Sequence, residues 1–253
     1  MCIRDRYINI RLEIIFMALP KIGYPTYELE LPSTGKTVKY RPFLVKEEKV
    51  LLMALEGKDE KHIVSAVKDL IKNCVISRIK VETLPSFDLE YLFLKIRAAS
   101  IGELITLTVT CKDDNETKVE AFINIDDVEV FKPEGHDTKI QLSDEMGIIM
   151  KYPSMQQFVD REFLQKEMKT EEVYDFISDS IEQIFTDDEV FDKTTTSKKE
   201  FRTFVDGLTT KQFESIQQFY VTCPKLTHTF KVTNPNTGKE SEYTIEGLQS
   251  FFA

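Results

Sequence analysis

The stretch Leu104–Pro153 constrains this chain more than any other. From Leu104 to Cys111, the residues Leu104, Thr106, Thr108 and Thr110 alternate with Ile105, Leu107, Val109 and Cys111. A period of two with β-branched enrichment is the pattern of a half-buried strand. Lys112–Glu116 is a polar reversal, and Val119, Phe122, Ile123 and Ile125 carry the returning strand. Lys139–Leu142 and Gly147–Tyr152 are two further short strands, and Pro153 closes the block because its ring cannot continue a sheet ladder. A chain built round such a block cannot be a helix bundle.

Helical patterns flank the block on both sides. Lys46–Glu56 carries Val50, Leu51, Leu52, Ala54 and Leu55 among charges, which suits a helix packed on one face and stopped by Gly57. Asp59–Cys74 places Ile63, Ala66, Val67, Leu70 and Ile71 at helical spacing. A third helix follows Leu84-Pro85, capped by Ser86 or Asp88, with a stripe of Leu89, Leu92, Phe93 and Ile96. Beyond the block, Ser154-x-x-Gln157 is a capping box that opens a helix to about Met168. Glu171–Phe185 reads as one helix with Val173, Phe176, Ile177, Ile181 and Ile184 inward, followed by an acidic break at Thr186–Lys193. Ser197-x-x-Glu200 and Thr209-x-x-Gln212 open two more helices, the first ended by Gly207.

Hairpins are expected at both ends. Tyr27–Leu31 and Thr37–Phe43 flank Pro32-Ser33-Thr34-Gly35-Lys36. Thr227–Val232 and Ser241–Ile245 flank the dense turn signal Asn234–Gly238. The fold class is therefore α+β: two mainly helical segments, Lys46–Ala99 and Ser154–Tyr220, packed on small antiparallel β-hairpins. The divisions expected are 1–16, a non-native leader; 17–100, the N-terminal hairpin with helices; 101–153, the central β block; 154–222, the helical segment; and 223–253, the C-terminal hairpin with its aromatic tail. The leader is set apart because Met-Cys-Ile-Arg-Asp-Arg looks foreign to the rest of the chain, and a start at Met17 gives a sensible protein.

Composition narrows the function classes. A net charge of −10 argues against a default nucleic-acid binder, which needs a basic footprint. Ile8–Leu19 is interrupted by Arg11 and Glu13 and is too short to span a membrane. Cys2, Cys74, Cys111 and Cys223 are scattered without a CxxC pair, as reduced thiols of a cytoplasm would be.

No motif for catalysis, cofactor or metal emerges. Gly35-Lys36-Thr37 has Glu30 where a phosphate-binding loop needs Gly, and a strand where it needs a helix. Cys111 and Cys223 have no close Cys or His partner for zinc, and Cys111 has no activating base. Asp126-Asp127 and Asp187-Asp188-Glu189 read as solvated acidic loops, and His62, His136 and His228 are isolated. An enzyme would need perturbed carboxylates converging in a cleft near Asp126 or His136. A nucleic-acid handler would need a contiguous Lys/Arg face with exposed aromatics. The candidate interaction residues are Phe251 and Phe252 with Leu248, aromatic anchors at a free end. Two echoes also stand out: Pro32-x-Thr-Gly-Lys36 with Pro235-x-Thr-Gly-Lys239, and Val109-Thr-Cys111 with Val221-Thr-Cys223. Reused turn chemistry is the simplest account of them; a duplication or a pair of eroded zinc ribbons is the sharper one.

The order of these parts resembles the baseplate hub subunit, or hub assembly protein, of T4-like contractile-tailed bacteriophages. The resemblance is carried by ALPKIGYPTYELELPSTGKTVKYRPF, by KEEKVLLMAL, by the central block, and by TFKVTNPNTGKESEYTIEGLQSFF. It covers most of the chain from Met17. It implies a non-enzymatic structural or assembly role at the hub, through contacts with other phage baseplate hub proteins and with neither nucleic acid nor membrane. It further implies assembly in the host cytoplasm, with the product either kept in the virion's tail baseplate or acting as an assembly chaperone absent from the mature virion. No catalytic residues come with it.

Overall fold

In the computed structural model the residues described are 23–57, 59–154, 170–247 and 250. In chain order they form β1 (Tyr27–Glu30), β2 (Thr37–Tyr40), α1 (Val45–Glu56), α2 (Glu60–Cys74), α3 (Ser86–Ile101), β3 (Leu104–Thr110), β4 (Lys118–Asn124) and β5 (Glu129–Phe131). There follow β6 (Lys139–Gln141), β7 (Met146–Met150), α4 (Thr170–Ser180), β8 (Ile181–Thr186), β9 (Val190–Asp192), α5 (Lys198–Asp206), α6 (Thr210–Val221), β10 (Lys225–Thr233) and β11 (Glu240–Glu246). All sheets are small and antiparallel, so the fold is α+β as expected. The expected leader and the helix opened by Ser154 to Gln157 fall largely outside the described residues.

The apolar side chains gather into two cores. The first is centred on α3, whose Leu89, Leu92, Phe93, Leu94 and Ile96 are all fully buried. A helix apolar on most of its circumference must be covered on most sides. Here α2, the inner faces of β3 and β4, and Leu226 of β10 do the covering. The second core joins Ile148 and Met150 of β7 to Ile177, Ile181, Phe201, Val205, Ile216 and Phe219. The chain enters the second body after β5 and leaves it at β10, and those two strands are neighbours: Leu226 pairs with Val130. The second body is thus inserted between adjacent strands of the first. The strands of Leu104–Pro153 are accordingly shared among three sheets, β3–β4, β5–β10–β11 and β6–β7–β8–β9.

Two local expectations are corrected. Glu171–Phe185 is not one helix. It breaks after Ser180, and Ile181–Thr186 runs as a strand between β7 and β9. The register passes from Ile149–Gln183 to Met150–Ile181, leaving Glu182 as an extra residue. That bulge lets Ile181 and Ile184, three apart, both face the core. A spacing of three or four is otherwise a helical signature. The acidic break likewise contains a strand, β9, with Phe191 opposite Ile184. Second, neither Ser86 nor Asp88 caps α3. Pro85 precedes the helix, and the Ser86 amide donates to the Pro153 carbonyl at 3.1 Å, so an orphan donor of the first turn is satisfied from the second body. Asp88 points instead to the β1–β2 turn, where both the amide and the hydroxyl of Ser33 donate to its carboxylate.

The echoed turns share one geometry. Gly35 N donates to Leu31 O and Gly238 N to Asn234 O, each at 2.8 Å, with φ of +67° and +72°. Glycine adopts that conformation at the least steric cost, which accounts for the glycine of the repeated Thr-Gly-Lys. The two hairpins lie in separate sheets. Another hairpin, β3–β4, docks its turn on the β10–β11 turn. Asn234, buried, donates from Nδ2 to Asp113 Oδ1 at 3.0 Å and to Asp114 Oδ2 at 2.9 Å. Lys112 Nζ lies 4.6 Å from the Tyr243 ring centroid.

Candidate interaction surfaces

Helix α1 exposes much of what its sequence offers as apolar. Its buried positions are Leu51 and, unexpectedly, Glu47. Glu47 is taken inside by Arg41, whose Nη2 donates to Glu47 Oε1 at 3.1 Å while the Leu44 amide donates to Oε2 at 2.6 Å. The pair is almost fully buried, with side-chain exposures of 9% and 4%. Burial pulls the Glu47 carboxyl up, but the Arg41 hydrogen bond, the Leu44 amide and the charges of Arg41 and Lys46 outweigh it and hold the group low. With the inner face so occupied, Val45, Val50, Leu52 and Met53 are left outside, Val45 at 80% and Met53 at 62% exposure. A shallow cleft of about 410 Å³ between α1 and α2 runs beside Val50.

Further apolar side chains are exposed at the end of α3 and on β3–β4. The Phe43 amide donates to Ser100 Oγ at 2.9 Å, which seats the entry of α1 beside the end of α3. There Ile101, Leu104 and Phe122 are exposed, Leu104 and Phe122 at 67% and 70%. Phe122 lies in the returning strand as expected, but on its open face. The register places it opposite Thr106 on the outer face of β3–β4, while Ala121 and Ile123 take the core positions. Exposed apolar ground of this extent marks interaction sites more often than it decorates a free surface.

The residues weighed for chemistry are engaged elsewhere. His136 is 7% exposed and stacks on Tyr152 and Phe219, with centroids at 5.6 and 5.2 Å. Its Nδ1 lies 2.9 Å from Thr222 Oγ1 and its Nε2 3.2 Å from the Tyr152 hydroxyl. Burial, together with the Lys132 charge and against that of Asp137, holds its pKa below the ordinary histidine value. Tyr152 also meets Phe87 of α3 edge-on at 5.1 Å, so the stack fastens the second body to the first. Asp126 is paired with Lys95 at 2.8 Å. Cys111 is buried, and burial followed by the charges of Asp113 and Asp114 pushes its thiol up, away from reactive thiolate. Asp187, Asp188 and Glu189 form the exposed β8–β9 turn. Among the described residues no group of three or more His, Cys, Asp or Glu side chains could hold a metal ion.

Leu248, Phe251 and Phe252 lie outside the described residues. The last strand leads toward them: the Gly247 amide donates to the Leu226 carbonyl at 2.9 Å, at the root of the first core. The apolar ledge of α1, α3 and β3–β4 was missed in the sequence. Its only signal was a surplus: α1 has more apolar residues than one packed face uses.

A family model described as T4 bacteriophage base plate protein matches residues 24–253. The chain belongs to that family. No curated protein and no solved structure matches this base plate protein. A structural place in the bacteriophage tail base plate, in contact with other base plate proteins, follows from membership. The family suits a fold whose notable features are exposed apolar faces and structural polar networks.

Proposed function

We propose that this base plate protein is a non-enzymatic subunit of the base plate hub, assembled in the host cytoplasm and acting through contacts with the other hub proteins. The observation that carries the reading is the apolar ledge of Val45, Leu52, Met53, Ile101, Leu104 and Phe122 on the first body. Burying such residues is worth on the order of 1.5–3 kcal/mol per side chain, enough for a few anchors to hold a subunit in place. The tail residues Leu248, Phe251 and Phe252 supply a second contact at the other end of the chain. The test is affinity purification of the tagged protein from infected cells, with and without Leu248–Ala253. Hub proteins should co-purify with the full chain and fall away from a truncated chain that keeps its circular dichroism spectrum. Recovery of base plate proteins from outside the hub would contradict the hub assignment, and undiminished recovery by the truncated chain would contradict the role of the tail.

A further inference from the structure

Where the two bodies meet, a cleft of about 560 Å³ opens between the β1–β2 turn, the loop after α2, and the ends of β7 and β8. Its floor is apolar, with Ile79, Leu84, Ile149 and Tyr152 partly buried in it. Its rim is cationic: Lys36 comes from the turn, Arg78 and Lys80 from the loop, and Lys151 from the exit of β7. All four are exposed, and among the described residues none of their side chains makes an ion pair or hydrogen bond. Among the described residues the one acidic lining residue is Glu182, the extra residue of the β8 bulge. Several cations elsewhere are compensated, although others, such as Lys118 and Lys211, also stand on the surface without a carboxylate among the described residues. Lys39, Arg41, Lys72, Lys95, Lys198 and Arg202 each hold a carboxylate. In a chain with 43 acidic and 33 basic residues, four cations to one carboxylate among the described residues round one cleft are a local reversal of the protein's own field.

We infer that this cleft receives an acidic segment of a neighbouring base plate protein, an extended peptide with Asp or Glu side chains toward the rim and apolar side chains toward the floor. The inference rests on the reading of the chain as a base plate interaction protein and names the chemistry of one partner. Charge complementarity selects the occupant, since unpaired cations await carboxylates and the apolar floor gives a peptide's other side chains a place to go. Nucleic acid fits less well. It needs a basic track longer than one cleft, and a net charge of −10 repels a polyanion. Because the walls belong to both bodies, a bound segment would also hold their relative position.

The experiment uses the full chain co-expressed with the hub proteins of its phage, treated with a carbodiimide, which joins a lysine amine to a carboxylate in contact. Lys36, Lys80 and Lys151 should cross-link to Asp or Glu of a partner protein. The double variant Arg78→Glu/Lys80→Glu should bind that partner about tenfold more weakly or worse, and Arg78→Lys/Lys80→Arg should restore binding. Hydrogen exchange on the isolated variants establishes that both bodies stay folded. A complex that forms but ignores the charge reversal overturns the cleft inference and leaves the base plate reading standing. So do cross-links running only to the chain's own residues 155–169, or tighter binding of a single-stranded oligonucleotide than of the partner at the same cleft. Failure of any complex to form removes the base plate reading, and this inference with it.

Discussion

The two bodies solve the same packing problem differently. The first is discontinuous in sequence, closed by β10 and β11 returning beside β5, and its central helix α3 is covered on most sides. The second is continuous from Lys139 to Val221, one four-stranded sheet with helices against it. They differ most at the surface. Among the described residues, the first body carries Val45, Val50, Leu52, Met53, Ile101, Leu104 and Phe122 exposed, while the second exposes Val190, Phe191 and Val221. A body whose ends are tied by long-range strand pairing can leave apolar faces open for partners. The second body spends its apolar residues on its own core and meets solvent with ion pairs, such as Arg202 with Glu171, Asp175 and Asp206.

This contrast can be broken at several points. Phe93→Ala should have the largest effect, costing about 3–5 kcal/mol, because it empties the middle of α3. Hydrogen exchange should then show the amides of β3, β4 and β10 losing protection before those of β7 and β8. Equal loss in both bodies would mean a single cooperative unit. Arg41→Met should cost a similar ~3–5 kcal/mol in chemical denaturation, since it strands a buried Glu47. The folded pKa of Glu47 is lowered, so its contribution is present above about pH 4.3 and is lost as pH falls through the folded value. Wild type should therefore lose more stability on acidification than Arg41→Met/Glu47→Leu.

Asn234→Ala should cost roughly 1.5–3 kcal/mol, since its amide donates to two carboxylates at the junction of the hairpin turns. Proteolysis at Lys112 should rise with it. In the second body, Gly147→Ala should cost about 1–3 kcal/mol in thermal unfolding. The added Cβ would come within 2.3 Å of Phe185 Cζ and 2.8 Å of the Ile140 carbonyl. The smallest effect belongs to the joint between the bodies. His136 has a lowered folded pKa, so its neutral ring supports the stack above about pH 6.5, and that support is lost as pH falls through the folded value. Nuclear magnetic resonance should show the rings of Tyr152 and Phe219 responding to that titration, and His136→Phe should abolish the response.

Much of the architecture was legible because local chemistry announced it. Ser197 with Glu200 and Thr209 with Gln212 form the capping boxes their spacing predicts, and the Gly35 and Gly238 turns hold the hairpins expected of them. What failed was decided by distant partners. The bulge at Glu182 and the pairing of β8 with β7 overrode a helical spacing, and Pro85 precedes α3 with no side-chain cap from Ser86, whose own amide goes to the Pro153 carbonyl. The insertion of one body between β5 and β10 has no local signature, because it depends on Leu226 meeting Val130 across ninety-odd residues of chain. The interaction surfaces were the least legible. Val50 and Leu52 look like core residues until Glu47 is found in the place a hydrophobe would take.

The central claim is that the first body's ledge, rather than the apolar residues Val190 and Val221 of the second body, binds the other base plate proteins. The direct test is quantitative mass spectrometry of base plate proteins co-purified from infected cells with three forms of the tagged chain: wild type, Leu52→Ser/Met53→Ser, and Val190→Ser/Val221→Ser. The account predicts that recovery survives in the third form and collapses in the second. Equal recovery with all three, or loss only in the third, would contradict it.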